Sequence, residues 1–208
     1  MIVIDEIKCV KKAARGDASA FEELVVSYQA QIYRLCYRMT GNADDAQDMT
    51  QETFLKAWKN LSGFQFDAAF STWLYRLASN CCLDYLRGLK RRPTVSLTVE
   101  NNQDDEEIMD VADHAPTPEE LTIRNEEHEN LRIAMSLIDE EQRQILTLRV
   151  VNDLSYTEIA EILNVKEGTV KSRLSRAREN LRKKLTEIGN KKRVSTSNHQ
   201  KGGRGNEM

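Results

Sequence analysis

Large apolar side chains recur in steps of three and four along most of this chain, and the pattern breaks once. From Phe21 the series runs through Leu24, Val25, Tyr28, Ile32, Leu35, Cys36 and Met39. That spacing puts every member on one stripe of a helix and on no single face of a strand. Between Thr94 and Pro118 the series stops, leaving an acidic, polar stretch with few large apolar residues. Such a stretch reads as a linker and not as part of a core. A chain of 208 residues divided this way is expected to be all-α, with two small helical domains joined by a flexible acidic linker. The expected boundaries are 1–92 for an N-terminal helical domain, 93–118 for the linker, 119–189 for a C-terminal helix-turn-helix domain and 190–208 for a disordered basic tail.

Capping chemistry refines the N-terminal half. Asp17 suits the N-cap of a helix from about Ala18 to Thr40, and Gly41 suits its end. Asn42 can cap a second helix reaching about Leu61. Its inner face is Ala46, Met49, Thr53, Phe54, Ala57, Trp58 and Leu61, and its outer face is Asp44, Asp45, Asp48, Gln51, Glu52, Lys56 and Lys59. A loop from Ser62 to Phe70 carries Phe64, Phe66 and Phe70. Ser71 is expected to cap a third helix reaching about Lys90. Trp73, Leu74, Leu77, Ala78, Cys81 and Tyr85 form its apolar stripe, while Arg76, Asn80, Asp84 and Arg87 line another face.

The net charge of −3 hides a strong segregation. From Glu100 to Glu129 the only base is Arg124, whereas Lys166 to Arg193 is dominated by Lys and Arg. A second basic cluster is Arg87, Lys90, Arg91 and Arg92. Local field decides nucleic-acid binding, and both clusters suit phosphates. No segment approaches the ~20 apolar residues of a membrane span. The first residues also lack a signal-peptide core, so a cytoplasmic protein without direct membrane insertion is expected. Cys9, Cys36, Cys81 and Cys82 lack metal or redox spacing and are expected to stay reduced. His114, His128 and His199 fall in the linker, a charged helix and the tail. No catalytic triad, phosphate-cradling glycine loop or metal-ligand set appears. Neither enzymatic activity nor a cofactor is expected.

The sharpest local signal is LSYTEIAEILNVKEGTVKSRLSRARENL, residues 154–181. Ser155 and Glu158 make a capping box. Ile159, Ala160 and Leu163 give a short apolar face, and Asn164 and Val165 make the turn. Val170, Leu174, Ala177 and Leu181 are then spaced for burial along a second helix. This is a helix-turn-helix, whose second helix can enter the major groove. Opposite its buried stripe stand Gly168, Lys171, Ser172, Ser175, Arg176 and Glu179, with Arg173, Arg178 and Lys184 on the flanks.

GTVKSRLSRARENLRKKL, residues 168–185, resembles the promoter-reading end of the extracytoplasmic-function sigma factors of bacterial RNA polymerase. DDAQDMTQETFLKAW, residues 44–58, resembles the polymerase-binding helix of that family. FSTWLYRLASNCCLDYLR, residues 70–87, resembles its helix for the −10 promoter element. Together the motifs span most of residues 18–185, in the family's order. Lys166 departs from the pattern, replacing the usual Pro or Ser that opens the recognition helix, and the basic tail lies beyond what the resemblance addresses.

The resemblance implies a sigma factor that binds core RNA polymerase, recognises −35 and −10 elements and promotes melting, in a stress or envelope response. It implies contact with the β′ clamp helices through Asp44, Asp45, Asp48, Gln51, Glu52 and Phe54. The −10 element would fall to Phe64, Phe66, Arg76, Asn80, Asp84, Arg87 and Arg91, with a flipped base captured by the aromatic loop. The −35 element would fall to Thr169, Lys171, Ser172, Arg173, Ser175, Arg176 and Arg178. Its implied partners are core polymerase, promoter DNA and a membrane-linked anti-sigma factor, with nucleoid association when polymerase-bound. Two elements about one and a half helical turns apart lie ~50 Å from each other. A coil of ~25 residues favours ~25–30 Å but extends to ~80 Å, so polymerase is expected to set the spacing. The alternative is a stand-alone helix-turn-helix regulator of duplex DNA, which would need a sensory unit in the N-terminal half.

Overall fold

The computed structural model describes residues 5–91 and 118–201, with side chains described over 5–91 and 125–191. Among the described residues every regular element is helical. The N-terminal domain comprises α1 (Glu6–Ala13), α2 (Ala18–Thr40), α3 (Ala43–Asn60), a 3₁₀ turn (Leu61–Gly63) and α4 (Phe70–Arg91). The C-terminal domain comprises α5 (Pro118–Ser136), α6 (Glu140–Val150), α7 (Tyr156–Leu163) and α8 (Glu167–Lys201). Residues 92–117, nearly all of the expected linker, and residues 202–208 lie outside the described residues.

The caps fall where side-chain chemistry predicts. The Asp17 carboxylate accepts from the Ala20 N–H at 3.1 Å, and the Asn42 side chain from the Asp45 N–H at 3.0 Å. Gly41 ends α2 at φ 77°, a left-handed conformation that costs a residue with a β-carbon. Ser71 is a correction: α4 begins one residue earlier, at Phe70, and the Ala69 carbonyl accepts the Trp73 N–H at 3.1 Å. A second correction concerns the tail. The helix expected to fade near Leu185 runs on as α8 to Lys201, over residues 190–201 that read as disordered. The segment contains no proline, and Gly189 alone does not stop a helix.

Helix α1 is an element that no expectation above covers. Asp5 caps it, accepting from the Lys8 N–H at 3.2 Å, and Cys9, Val10 and Ala13 are buried. Tyr28 on α2 donates its hydroxyl to Glu6, and the Cys9 thiol donates to Glu23 at 3.2 Å. Burial and then the Glu6 carboxylate push the Tyr28 hydroxyl well above its ordinary pKa, so it stays a donor.

The two domains pack together, where the sequence suggested independent modules on a tether. One apolar cluster runs from Val10 through Leu35 and Leu74 to Leu148, Ile159 and Leu174. Arg143 is the polar centre of the junction. Its Nη1 donates to the Met39 carbonyl at 2.6 Å, and its Nη2 to the Ser136 carbonyl at 3.1 Å. Met39 lies in the last turn of α2 and Ser136 ends α5, so both carbonyls lack a partner within their own helix. The guanidinium supplies donors and positive charge to two helix C-termini, one from each domain. Around it, Lys90 pairs with Glu140, Arg87 with Glu141 at 3.7 Å, and Asn152 donates to the Tyr75 hydroxyl at 3.4 Å. Lys90 holds the Glu140 carboxyl below its ordinary pKa.

Replacing Arg143 with Ala leaves both carbonyls buried without their donor. Hydrogen bonds to charged groups are worth about 1.5–3 kcal/mol each, and a chain this size loses about 2–4 °C per kcal/mol. Arg143→Ala is therefore expected to lower the melting temperature by roughly 6–24 °C. Arg143→Lys should not restore it, because one ammonium cannot reproduce the forked geometry. Scanning calorimetry on the three proteins checks this, and an unchanged melting temperature in Arg143→Ala would remove the assigned role.

Candidate nucleic-acid and polymerase interface

The helix-turn-helix is built by local chemistry. Ser155 Oγ accepts from the Glu158 N–H at 3.2 Å, and the Ser155 N–H donates to Glu158 Oε2 at 2.8 Å, closing the capping box. Asn164 ends α7 in the left-handed region at φ 51°, and the Val165 N–H returns to the Ala160 carbonyl at 3.0 Å. The unusual Lys166 supplies no side-chain oxygen as a cap. Its carbonyl instead accepts the Thr169 and Val170 N–H groups at 2.8 and 3.2 Å, closing the first turn of α8.

From that start α8 buries Val170, Leu174 and Ala177. Lys171, Ser172, Arg173, Ser175, Arg176 and Arg178 are thereby exposed, and Thr169 is half-buried. Glu167 pairs with Lys171 at 2.9 Å and holds its ammonium above its ordinary pKa. The same ammonium sits 5.8 Å from the Tyr156 ring centroid, so Lys171 is steered from two sides. Ser172 donates to the Thr169 carbonyl at 3.0 Å.

On α4 the residues expected for the −10 element share one face, and the structure separates them by engagement. Asn80, Asp84, Arg87 and Arg91 are exposed. Arg76 is half-buried, and its Nη2 donates at 2.7 Å to the carbonyl of Glu161 in the last turn of α7. Arg87 reaches Glu141, and Arg91 Nε donates to the Arg87 carbonyl at 3.2 Å.

The aromatic loop divides likewise. Phe64 is buried, with Phe66, Trp73 and Phe70 at 4.8, 5.2 and 6.2 Å between ring centroids. Its expected role in stacking DNA is corrected to one of support, because its own faces are covered. Phe66 is the outward ring, 43% exposed, with a left-handed backbone at φ 59°.

On α3, Asp44, Asp48 and Gln51 are exposed, and Glu52 pairs with Lys56 at 3.4 Å. Asp45 is half-buried and accepts the Tyr85 hydroxyl at 2.6 Å. Phe54 is a correction, being only 8% exposed and packed edge-on to Phe21. The apolar residue on the acidic face is Leu55, 54% exposed, seven positions after Asp48. Leu55 is absent from the residues expected at this surface. Its signal was an isolated apolar residue in phase with an otherwise charged stripe. All four cysteines are free and buried. Among the described residues no group of His, Cys, Asp and Glu could hold a metal ion, and no helix is long and apolar enough to cross a membrane.

Comparison with known proteins agrees with this geometry. Residues 24–92 match the family model for Sigma-70 region 2, and residues 128–181 match that for Sigma-70, region 4. The chain is 36% identical over 183 residues to the ECF RNA polymerase sigma factor SigW of Bacillus subtilis, covering 87% of this chain and 97% of that one. It is 39% identical over 180 residues to the RNA polymerase sigma-H factor of Pseudomonas aeruginosa, covering 85% and 91%. Among solved structures it resembles CnrH in complex with the cytosolic domain of CnrY. That match has a TM-score of 0.63 and 23% identity, covering 88% of this chain and 97% of that one. It also resembles RpoE of Bartonella quintana in complex with the anti-sigma factor NepR. There the TM-score is 0.57 and the identity 21%, with 80% and 96% covered. Two sigma-70 modules in this order, with similarity running nearly the full length of characterised relatives, mean that the chain belongs to the extracytoplasmic-function sigma factors.

Proposed function

We propose that the two domains divide promoter recognition between them. The exposed face of α3 docks on core polymerase, the loop and outer face of α4 hold the −10 element, and α8 reads the −35 element. The observation that carries this reading is the two-sidedness of α8. Burial of Val170, Leu174 and Ala177 leaves Lys171, Ser172, Ser175 and Arg176 together on the open side. A helix set behind a tight turn presents that side to the major groove. Arginine and lysine there read guanine, while Arg173, Arg178 and Lys184 on the flanks hold phosphate.

The chain acts as a transcription initiation factor and not as an enzyme. The stand-alone regulator needed a sensory unit in the N-terminal half, and that half is occupied by sigma region 2. On α3, Asp44, Asp48, Gln51 and Glu52, with Leu55 next in the same stripe, form a surface suited to the basic β′ clamp helices. On α4, Asn80 and Asp84 offer hydrogen bonds to base edges, and Phe66 offers a ring for an unpaired base. Base extrusion costs a few kcal/mol, which stacking at about 1–3 kcal/mol per base offsets in part without ATP. Arg76 and Arg87 bond to the C-terminal domain in this structure, so engaging the −10 element exchanges those contacts for DNA. An anti-sigma protein would hold the factor in reserve, as NepR is bound to RpoE in the Bartonella structure. The factor would work in the cytoplasm, on the nucleoid when polymerase-bound, in a stress or envelope response.

Run-off transcription with purified core polymerase on randomised templates tests the whole reading. Initiation at a restricted set of sequences is expected, and no initiation on any template would end it. Reversing charge at Asp48 and Glu52 should weaken core binding tenfold or more, and unchanged affinity by fluorescence titration would remove α3 as the docking face. Arg176→Ala should relax preference at one −35 position, with about 1–3 kcal/mol of discrimination lost. Arg178→Ala should weaken all sequences alike. Equal loss on every sequence for both variants would reverse these assignments.

A further inference from the structure

Helix α1 lies outside the span of both family models, which begin at residue 24 and residue 128. It nonetheless carries the most regular charge pattern in the N-terminal domain. Lys8, Lys11, Lys12 and Arg15 fall at i, i+3, i+4 and i+7, which places them along one edge of the helix. All four are exposed, while Cys9, Val10 and Ala13 on the opposite side are buried. Several helical bases elsewhere among the described residues meet an acid, as Lys56, Lys90, Lys171 and Lys183 do. Among the described residues no carboxylate pairs with any of these four. Among the described residues the stripe is a line of positive charge without ion-pair partners, on a helix pinned to α2 by Tyr28–Glu6 and Cys9–Glu23.

The second observation is what the stripe adjoins. The Lys11 ammonium sits 5.8 Å from the centroid of the Phe66 ring. Phe66 holds a backbone conformation that a β-carbon disfavours, and its ring leans on Phe64 at 4.8 Å while staying 43% exposed at the edge of the aromatic cluster. An exposed ring bordered by unpaired cations offers a stacking surface and positive charge side by side. An unpaired nucleotide presents the complement, a base with a π-face and a phosphate a few ångströms away. Duplex DNA presents phosphates but keeps its base faces stacked. An acidic peptide supplies charge without the planar ring.

We propose that Phe66 and the basic stripe of α1 form one track for single-stranded DNA, in which Phe66 stacks a base of the opened non-template strand and Lys8, Lys11, Lys12 and Arg15 hold the adjoining phosphates. The inference rests on the reading that the loop of Phe64 and Phe66 faces the opened −10 element. It extends that site onto a helix for which neither the family models nor the sequence motifs give a role. Lys11 links the two parts, lying over the ring and within the stripe.

The test uses holoenzyme reconstituted with the full chain and a fluorescein-labelled fork-junction DNA. The fork is paired upstream and has an unpaired non-template strand from the −10 element onward, in a promoter selected by run-off transcription. Affinity is measured across salt concentrations for the native chain, for Lys11→Gln, and for Lys8→Gln/Lys11→Gln/Lys12→Gln. The glutamines keep the side-chain stems at exposed positions, and thermal melting confirms the fold. Single-stranded contacts contribute about 0.7 each to the slope of log affinity against log salt. The slope should become shallower by about 0.7 in the single variant and about 2 in the triple one. A paired duplex ending upstream of the −10 element should show no change, and Phe66→Ala should weaken the fork about five- to hundred-fold.

An unchanged slope in the triple variant, with Phe66→Ala and Arg87→Ala still weakening the fork, would overturn the track and leave the −10 reading standing. An equal change of slope on fork and duplex would also overturn it, making the stripe a general DNA contact. If neither Phe66→Ala nor Arg87→Ala weakens the fork, the −10 reading falls and the track falls with it.

Discussion

Two helix C-termini, one from each domain, point at a single buried guanidinium. Arg143 donates to the Met39 carbonyl near the end of α2 and to the Ser136 carbonyl at the end of α5. Carbonyls at helix ends have no partner in their own helix and carry the negative end of the helix dipole. Burying them between domains without a donor would cost about 1–3 kcal/mol each. One forked cation meets both and fixes how the domains sit. Arg76 repeats the device on the last turn of α7 through the Glu161 carbonyl. Arg149, inside the C-terminal domain, donates at 3.0 Å to the Leu154 carbonyl in the loop just ahead of α7.

The surfaces that face outward follow from what this packing hides. Leu174, Val170 and Ala177 are held in the core, so α8 has one orientation and its opposite side is open. Phe21 and Trp58 pack at 4.9 Å on the flank of α3, and Phe54 lies beneath, which turns Asp48, Gln51 and Leu55 to the surface. The same aromatic chemistry shapes the loop before α4. Phe64 fills the interior and leaves Phe66 as the outward ring. Interior packing thus selects which member of each motif can touch a partner.

The junction also links the two reading surfaces. Arg87 and Arg76 lie on the face of α4 that suits DNA, yet each bonds to the C-terminal domain here. The ion pair of Arg87 with Glu141 is exposed on both sides and contributes little. The bond from Arg76 is short, at 2.7 Å, and is likewise exposed. A promoter that recruits these arginines competes with both contacts.

Much of the fold was legible because its causes are local. Steps of three and four placed α2, α3 and α4, and Asp17, Asn42 and the Ser155–Glu158 box marked starts within a few residues. The two sides of α8 followed from periodicity alone, since a helix that buries Val170 and Leu174 must expose Arg176. Local signals for α1 were also present in Asp5, Cys9, Val10 and Ala13, but eight residues make too short a series to stand out. Periodicity could not rank positions within a face. Phe54 and Leu55 are neighbours of similar character, and only packing against Phe21 made one core and the other surface. What tertiary structure alone decided is carried by partners distant in sequence. Met39 and Arg143 are 104 residues apart, and Arg76 and Glu161 are 85 apart. Glu140 and Glu141 look like ordinary acids in the first turn of a helix, and nothing nearby announces that Lys90 and Arg87 will meet them. The chain by itself determines its helices and their apolar stripes, because those depend on neighbours within a turn or two. Which charged and aromatic side chains remain free for a partner is decided only when distant helices close on one another and consume the rest.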